Sequence, residues 1–223
     1  MPTRAISSTR PQQSAASLPY VEPITLVPRP DPFDDPEWIF EPKYDGFRGL
    51  AYSTGSGCEI RSRRDIPLRR FGDLWTRLSE VLRGREAILD GEIVALDRKG
   101  KPVFDSLVRG QGFIAFAVFD LLWLDGQDLR GEPLARRKEL LGSLLPEDTG
   151  PLYKVLAIEE HGRALFGAAR RMDLGGIVAK RKADRYEPGT VWYRIANSAH
   201  RRIPVVSPPG HLRPRASHST PDR

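Results

Sequence analysis

The chain has one cysteine, Cys58, in 223 residues. A lone thiol closes no intramolecular disulfide and builds no cysteine-cluster metal site, which fits a reducing compartment. No apolar run approaches the roughly 20 residues that cross a hydrocarbon core. The N-terminus lacks the apolar stretch of a secretory signal, so a soluble cytoplasmic protein with no membrane partner is expected. Lysine is scarce too, seven residues against 28 arginines. A lysine here is a chemical choice more than a charge choice, because lysine gives up its proton when its pKa is lowered and arginine does not.

The formal charge of +6 is unevenly placed. Residues 1–20 are rich in Ser, Pro, Gln and Ala and carry Arg4 and Arg10 with no acid. Residues 198–223 form an Arg/Pro/Ser-rich tail with Arg201, Arg202, Arg213, Arg215 and Arg223 against Asp222. Residues 21–197 are therefore left with no net charge, and both ends read as disordered basic segments. Basic tails suit a polyanionic partner, and they equally suit plain solubility. The expected organisation is one domain over 21–197 between the segments 1–20 and 198–223.

Residues 38–42 and 47–53 read as strands, and Gly55-Ser56-Gly57 as a turn into a third strand from Cys58. Phe71, Leu74, Trp75, Leu78, Val81 and Leu82 recur at helical spacing, with Gly84 as a stop. In 87–96 a strand-like apolar run is interrupted by Asp90-Gly91-Glu92. Residues 113–124 read as a buried strand ending near Asp120. Helices are expected over 134–145 and about 159–172, and strands over 176–180 and 191–195. Strands and helices do not alternate regularly, which predicts an α+β fold of mostly antiparallel sheets flanked by helices.

Between the first two strands lies Lys43-Tyr44-Asp45-Gly46-Phe47-Arg48. It sets one lysine among a carboxylate, a glycine and an arginine, groups suited to an amine that attacks a phosphate. The alternative is a surface turn bent by Asp-Gly. Four further segments follow in order: Arg61-Ser62-Arg63-Arg64; Leu89-Asp90-Gly91-Glu92; Phe119-Asp120-Leu121-Leu122 with Leu124-Asp125-Gly126; and Gly176-Ile177-Val178-Ala179-Lys180-Arg181. With the lysine segment they resemble the nucleotidyltransferase motifs of ATP-dependent DNA ligases, in detail most like the small bacterial ligases associated with end joining. Trp192-Tyr193-Arg194-Ile195-Ala196-Asn197 matches the closing motif of that family in part.

The resemblance covers roughly residues 21–197 and implies the adenylation-domain fold and a three-step reaction. A lysine attacks the α-phosphate of ATP, AMP passes to the 5′-phosphate of a nick, and the 3′-hydroxyl displaces AMP. It implies ATP with Mg²⁺ or Mn²⁺, nicked or broken duplex DNA as partner, a role in repair and recombination, and a bacterial cytoplasm beside the nucleoid. The nucleophile falls on Lys43. Glu41 would accept a hydrogen bond from the adenine amino group, Arg48 would hold ribose or a phosphate, Glu92 would contact ribose or the metal, and Phe119 would stack on adenine. Lys180 and Arg194 would neutralise phosphate charge. Arg63 would grip the nick phosphate with Arg64, inside a patch that also holds Arg61, Arg69 and Arg70.

Three departures concern the phosphate and metal side. The family carries a glutamate where this chain has Gly175, and two lysines where it has Arg194 and Ala196. After Asn197 only 26 residues remain, too few for the five-stranded OB barrel that follows in the family. An OB domain or end-joining partner in trans is therefore expected. Two alternatives stand beside the enzyme: a degenerate relative that binds nucleotide or DNA with little sealing, and a non-enzymatic nucleic-acid-binding accessory protein. RNA ligases and capping guanylyltransferases share the lysine core, but Glu41 and the Phe119 segment favour the DNA ligases.

Overall fold

The computed structural model describes residues 18–145 and 150–200. Most of the two segments read as disordered, 1–17 and 201–223, lies outside the described residues. In chain order the strands are β1 (Leu26–Pro28), β2 (Asp35–Pro42), β3 (Phe47–Thr54), β4 (Gly57–Ser62), β5 (Ala87–Leu96), β6 (Phe113–Leu124), β7 (Gln127–Asp128), β8 (Leu152–Lys154), β9 (Ile158–Glu160), β10 (Gly176–Arg181) and β11 (Trp192–Ala196). The helices are α1 (Gly72–Leu82), α2 (Phe104–Arg109), α3 (Leu134–Leu144) and α4 (Gly162–Arg171). No helix among the described residues is long and apolar enough to cross a membrane.

Two sheets result, one ordered β4-β3-β5-β6-β7 with β8 also beside β6, the other β1-β11-β10-β2-β9. All pairs are antiparallel except β1 with β11 and β6 with β8. The expected α+β architecture of mostly antiparallel sheets is therefore what the chain adopts.

The central strands β5 and β6 are apolar on both faces because both faces are covered. On one side α1 lays Leu74, Leu78 and Leu82 against Leu89, Ile93 and Phe116. On the other, Leu50, Ile88 and Leu122 meet Val178, Tyr186 and Trp192 of the second sheet and its flanks. Each of these side chains contributes about 1.5–3 kcal/mol on burial.

The structure corrects three local expectations. Asp90-Gly91-Glu92 does not break the strand: β5 runs through it with a register irregularity at Asp90/Gly91. Gly91 is required there, since a Cβ would lie 2.7 Å from the Ala117 carbonyl. Likewise β6 continues past Asp120 to Leu124, because the Asp120 charge is met within the protein by Arg137. The helix expected from 159 starts at Gly162, since Ile158–Glu160 is recruited as β9 against β2.

The link between the sheets decides where the lysine sits. β2 belongs to the second sheet and β3 to the first, so residues 43–46 cross from one to the other and do not close a hairpin. Lys43 N donates to Gly176 O at 2.9 Å, tying the crossover to β10. Gly46 is pressed against β5, where a Cβ would fall 2.1 Å from the Ile93 carbonyl oxygen. The surface-turn alternative is excluded by this placement.

Candidate active site

Between the sheets opens a cleft of about 670 Å³ whose lining includes Glu41, Lys43, Arg48, Arg63, Arg64, Glu92, Phe119, Lys180 and Arg194. All nine residues singled out from the sequence thus border one space. The second sheet supplies Glu41 from β2, Lys180 from β10 and Arg194 from β11; the first supplies Arg48, Glu92 and Phe119 from β3, β5 and β6. Lys43 lies on the crossover, and Arg63 and Arg64 on the turn after β4.

At one end an aromatic and charged group forms a compact wall. Lys180, only 1% exposed, holds its Nζ 4.2 Å from the Phe119 ring centroid and 4.0 Å from that of Trp192. The same Nζ lies 2.7 Å from Glu41 Oε2, off the line of a hydrogen bond, and no aligned acceptor meets it among the described residues. Burial pushes the Lys180 ammonium down to about 8, against the pull of Glu41. Burial works to raise Glu41, but Lys138 and Lys180 more than offset it, and the carboxyl is held below the usual range. Lys138 reaches Glu41 Oε1 from α3.

The middle of the cleft is set by Arg48. Its Nε and Nη2 donate to Asp90 Oδ1 and Oδ2 at 3.1 and 2.7 Å, and its Nη1 to Ile24 O at 2.6 Å. Tyr186 Oη donates to Asp90 Oδ2 at 2.7 Å. A paired and multiply bonded buried charge of this kind is rigid, so Arg48 presents to the cleft a fixed guanidinium 5.3 Å from the Phe119 centroid.

At the other end Lys43 Nζ donates to Asp45 Oδ1 at 2.7 Å. Asp45 Oδ2 is bonded to His200 Nε2 at 2.8 Å, and His200 Nδ1 to Asp173 Oδ1 at 3.0 Å. Glu92 faces this group. Burial pushes its carboxyl up to about 7, while Lys43 and Arg48 pull the other way. Among the described residues no three His, Cys, Asp or Glu side chains converge to hold a metal. Mg²⁺ asks less of a protein than that, often one or two carboxylates with phosphates and water supplying the rest. Glu92 fits such a site as its single protein carboxylate.

The arginine patch divides. Arg63 and Arg64 are exposed, with no ion pair among the described residues. Arg61 is held by Glu59 and Asp65, and Arg70 donates to the Leu107 and Val108 carbonyls. Those two are structural ties. Three further residues were not picked from the sequence as site residues: Trp192 lines the cleft, while Lys138 and His200 stand against Glu41 and Asp45. The scarcity of lysine was a signal for Lys138; His200, inside a segment read as tail, carried none. The signal for Trp192 was its place two residues before Arg194, on the same face of a strand.

A family model described as the ATP dependent DNA ligase domain matches residues 30–195. The multifunctional non-homologous end joining DNA repair protein LigD of Mycobacterium tuberculosis is 34% identical over 155 residues, 69% of this chain and 20% of that protein. The chain thus spans about a fifth of such relatives. The SPbeta prophage-derived DNA ligase-like protein LigB of Bacillus subtilis is 27% identical over 196 residues, 84% of this chain and 71% of that protein. Among solved structures, mycobacterial DNA ligase D complexed with ATP and MES superposes with a TM-score of 0.70 at 29% identity, covering 79% of this chain and 60% of that one. Motif order, two-sheet cleft and these likenesses agree, and the chain belongs to the ATP-dependent DNA ligase domain family.

Proposed function

We propose that this chain is a DNA ligase adenylation domain in which Lys43 carries AMP from ATP to a DNA 5′-phosphate. The observation that carries the reading is the convergence of all nine motif residues on one cleft, with the only lysine of the sheet crossover at one end and the Glu41, Lys180, Phe119 and Trp192 wall at the other.

The adenine ring fits the apolar and charged wall, stacked on Phe119 with its amino group donated to Glu41. Arg48 holds ribose or the α-phosphate. In the first step Lys43 Nζ forms a bond to the α-phosphorus, and the bond from that phosphorus to the β-phosphate bridging oxygen breaks, releasing pyrophosphate. An amine attacks only when neutral. Asp45 Oδ1 holds the ammonium before ATP arrives, and the cationic side chains Lys180, Arg48 and Arg194 offset phosphate charge. A Mg²⁺ or Mn²⁺ ion held by Glu92 would supply further charge neutralisation to the phosphates. Positioning and electrostatics carry most of such a phosphoryl transfer.

In the second step a DNA 5′-phosphate oxygen takes the AMP and Lys43 Nζ leaves; Arg63 and Arg64 hold that phosphate. In the third, the 3′-hydroxyl oxygen bonds to the DNA phosphorus and AMP leaves. The setting is DNA end repair in the bacterial cytoplasm, with an OB domain or end-joining partner assisting the later steps. A degenerate relative that binds nucleotide or DNA is the second reading, favoured by Ala196, which departs from the family lysine.

ATP labelled in its α-phosphate, offered with a nicked duplex, distinguishes the two. The enzyme passes label first to itself and then to the nick 5′-phosphate, and Lys43→Ala does neither. Salt-dependent DNA binding with no transfer of label would leave only the second reading.

A further inference from the structure

Lys138 takes no part in lining the cleft, yet its ammonium donates to Glu41 Oε1 from behind. Its neighbour Arg137 fixes where it stands. Arg137 is fully buried, with Nε and Nη2 each 2.8 Å from the two oxygens of Asp120. Its Nη1 donates to the Glu132 and Asp184 carbonyls at 2.6 and 3.0 Å. Successive helical residues point about 100° apart. One residue of α3 therefore anchors the helix to β6, beside Phe119, while the next reaches across to β2 of the other sheet.

We infer that Lys138 is a positioning residue for nucleobase selection, holding Glu41 as an acceptor-only carboxylate so that the cleft takes a 6-aminopurine and rejects a 6-oxopurine. The inference rests on the proposed contact between Glu41 and the base. A carboxylate has about four lone-pair sites, so the two lysines leave room for a further donor. An amino group satisfies it. A 6-oxo group brings an acceptor against an acceptor, and sites built around such a hydrogen bond discriminate strongly.

Lys180 does not serve Glu41 alone. Its ammonium meets Glu41 Oε2 at 2.7 Å and is shared with two aromatic faces. A carboxylate 2% exposed that loses one of its two cations lowers its cost by taking up a proton. A protonated carboxyl has an O–H to donate, and a 6-oxo group accepts it. Loss of Lys138 thus erodes selection more than it erodes nucleotide affinity in general.

The test is equilibrium binding of ATP and of ITP, which differ at purine position 6, to the full chain in a Lys43→Ala background. Wild type at position 138 is expected to prefer ATP strongly, Lys138→Met to lose about tenfold or more of that preference, and Lys138→Arg to keep most of it. Should Lys138→Met fail to fold, Lys138→Gln carries the same expectation, since it removes the charge and keeps a donor. Equal weakening of ATP and ITP, an unchanged ratio, or no preference with Lys138 intact would overturn the inference. Because binding needs no chemistry, a chain that selects ATP but forms no lysyl-AMP would refute the proposed function and leave this inference standing.

Discussion

The carboxylate of Asp45 sits where a side chain at Gly175 would enter: a Cβ there would lie 3.0 Å from Asp45 Oδ2 and 3.3 Å from Lys43 Nζ. Position 175 is thus beside the Lys43 ammonium, and Asp45 from the lysine loop already pairs with it. His200, bonded to the other Asp45 oxygen, helps hold that arrangement.

An acid at position 175 is therefore expected to do harm. Gly175→Glu forces Asp45 aside and sets a second carboxylate beside the amine, where it repels the incoming phosphates. Single-turnover lysyl-AMP formation should slow by about tenfold, the effect of about 1.4 kcal/mol on the barrier. Gly175→Ala should slow it less. A faster Gly175→Glu variant would contradict the account of this position.

Lys180 sets a pH dependence of stability. Its folded-state value of about 8 lies below the ordinary 10.5. Between those values the unfolded chain binds a proton that the native site has released, so this group makes stability rise with pH through that window. Urea unfolding across the window should show wild type gaining on Lys180→Met. A constant difference between the two would contradict it.

Arg63 and Arg64 should act on DNA and Arg61 and Arg70 on the fold. Alanine at either of the first two is expected to weaken DNA binding irrespective of sequence and reduce the salt slope by about one. Arg61→Ala and Arg70→Ala are expected to change the urea midpoint more than the salt slope. Binding titrations over a range of salt, with unfolding curves beside them, separate the pairs.

The Arg137–Asp120 pair is wholly buried, and either partner alone is an uncompensated charge. Asp120→Ala should cost about 3–5 kcal/mol, read from urea unfolding. Replacing both by apolar residues of matching volume should recover much of that loss. A single substitution costing no more than a surface change would contradict the role given to the pair.

These pairs also explain what was legible in the sequence. Lys43 and its companions were legible through the order of the motifs, and the resemblance, not any local periodicity, carried Glu41, Phe119 and Lys180 to the site. The continuity of β5 and the end of β6 were not legible, because Asp90 and Asp120 read as strand breakers until partners distant in the chain, Arg48 and Arg137, neutralise them. Glu159 and Glu160 read as a helix start, yet β9 forms there since the edge of β2 is free to pair. His200 was hidden for the same kind of reason. Its partners Asp45 and Asp173 lie 155 and 27 residues away, and local composition speaks only of a tail.

The most direct test is intact-mass measurement after incubation with ATP and Mg²⁺, followed by peptide mapping. The account predicts one covalent AMP, located on Lys43, released by pyrophosphate and absent from Lys43→Ala. An unmodified wild-type chain, or an adduct that persists in Lys43→Ala, would contradict it.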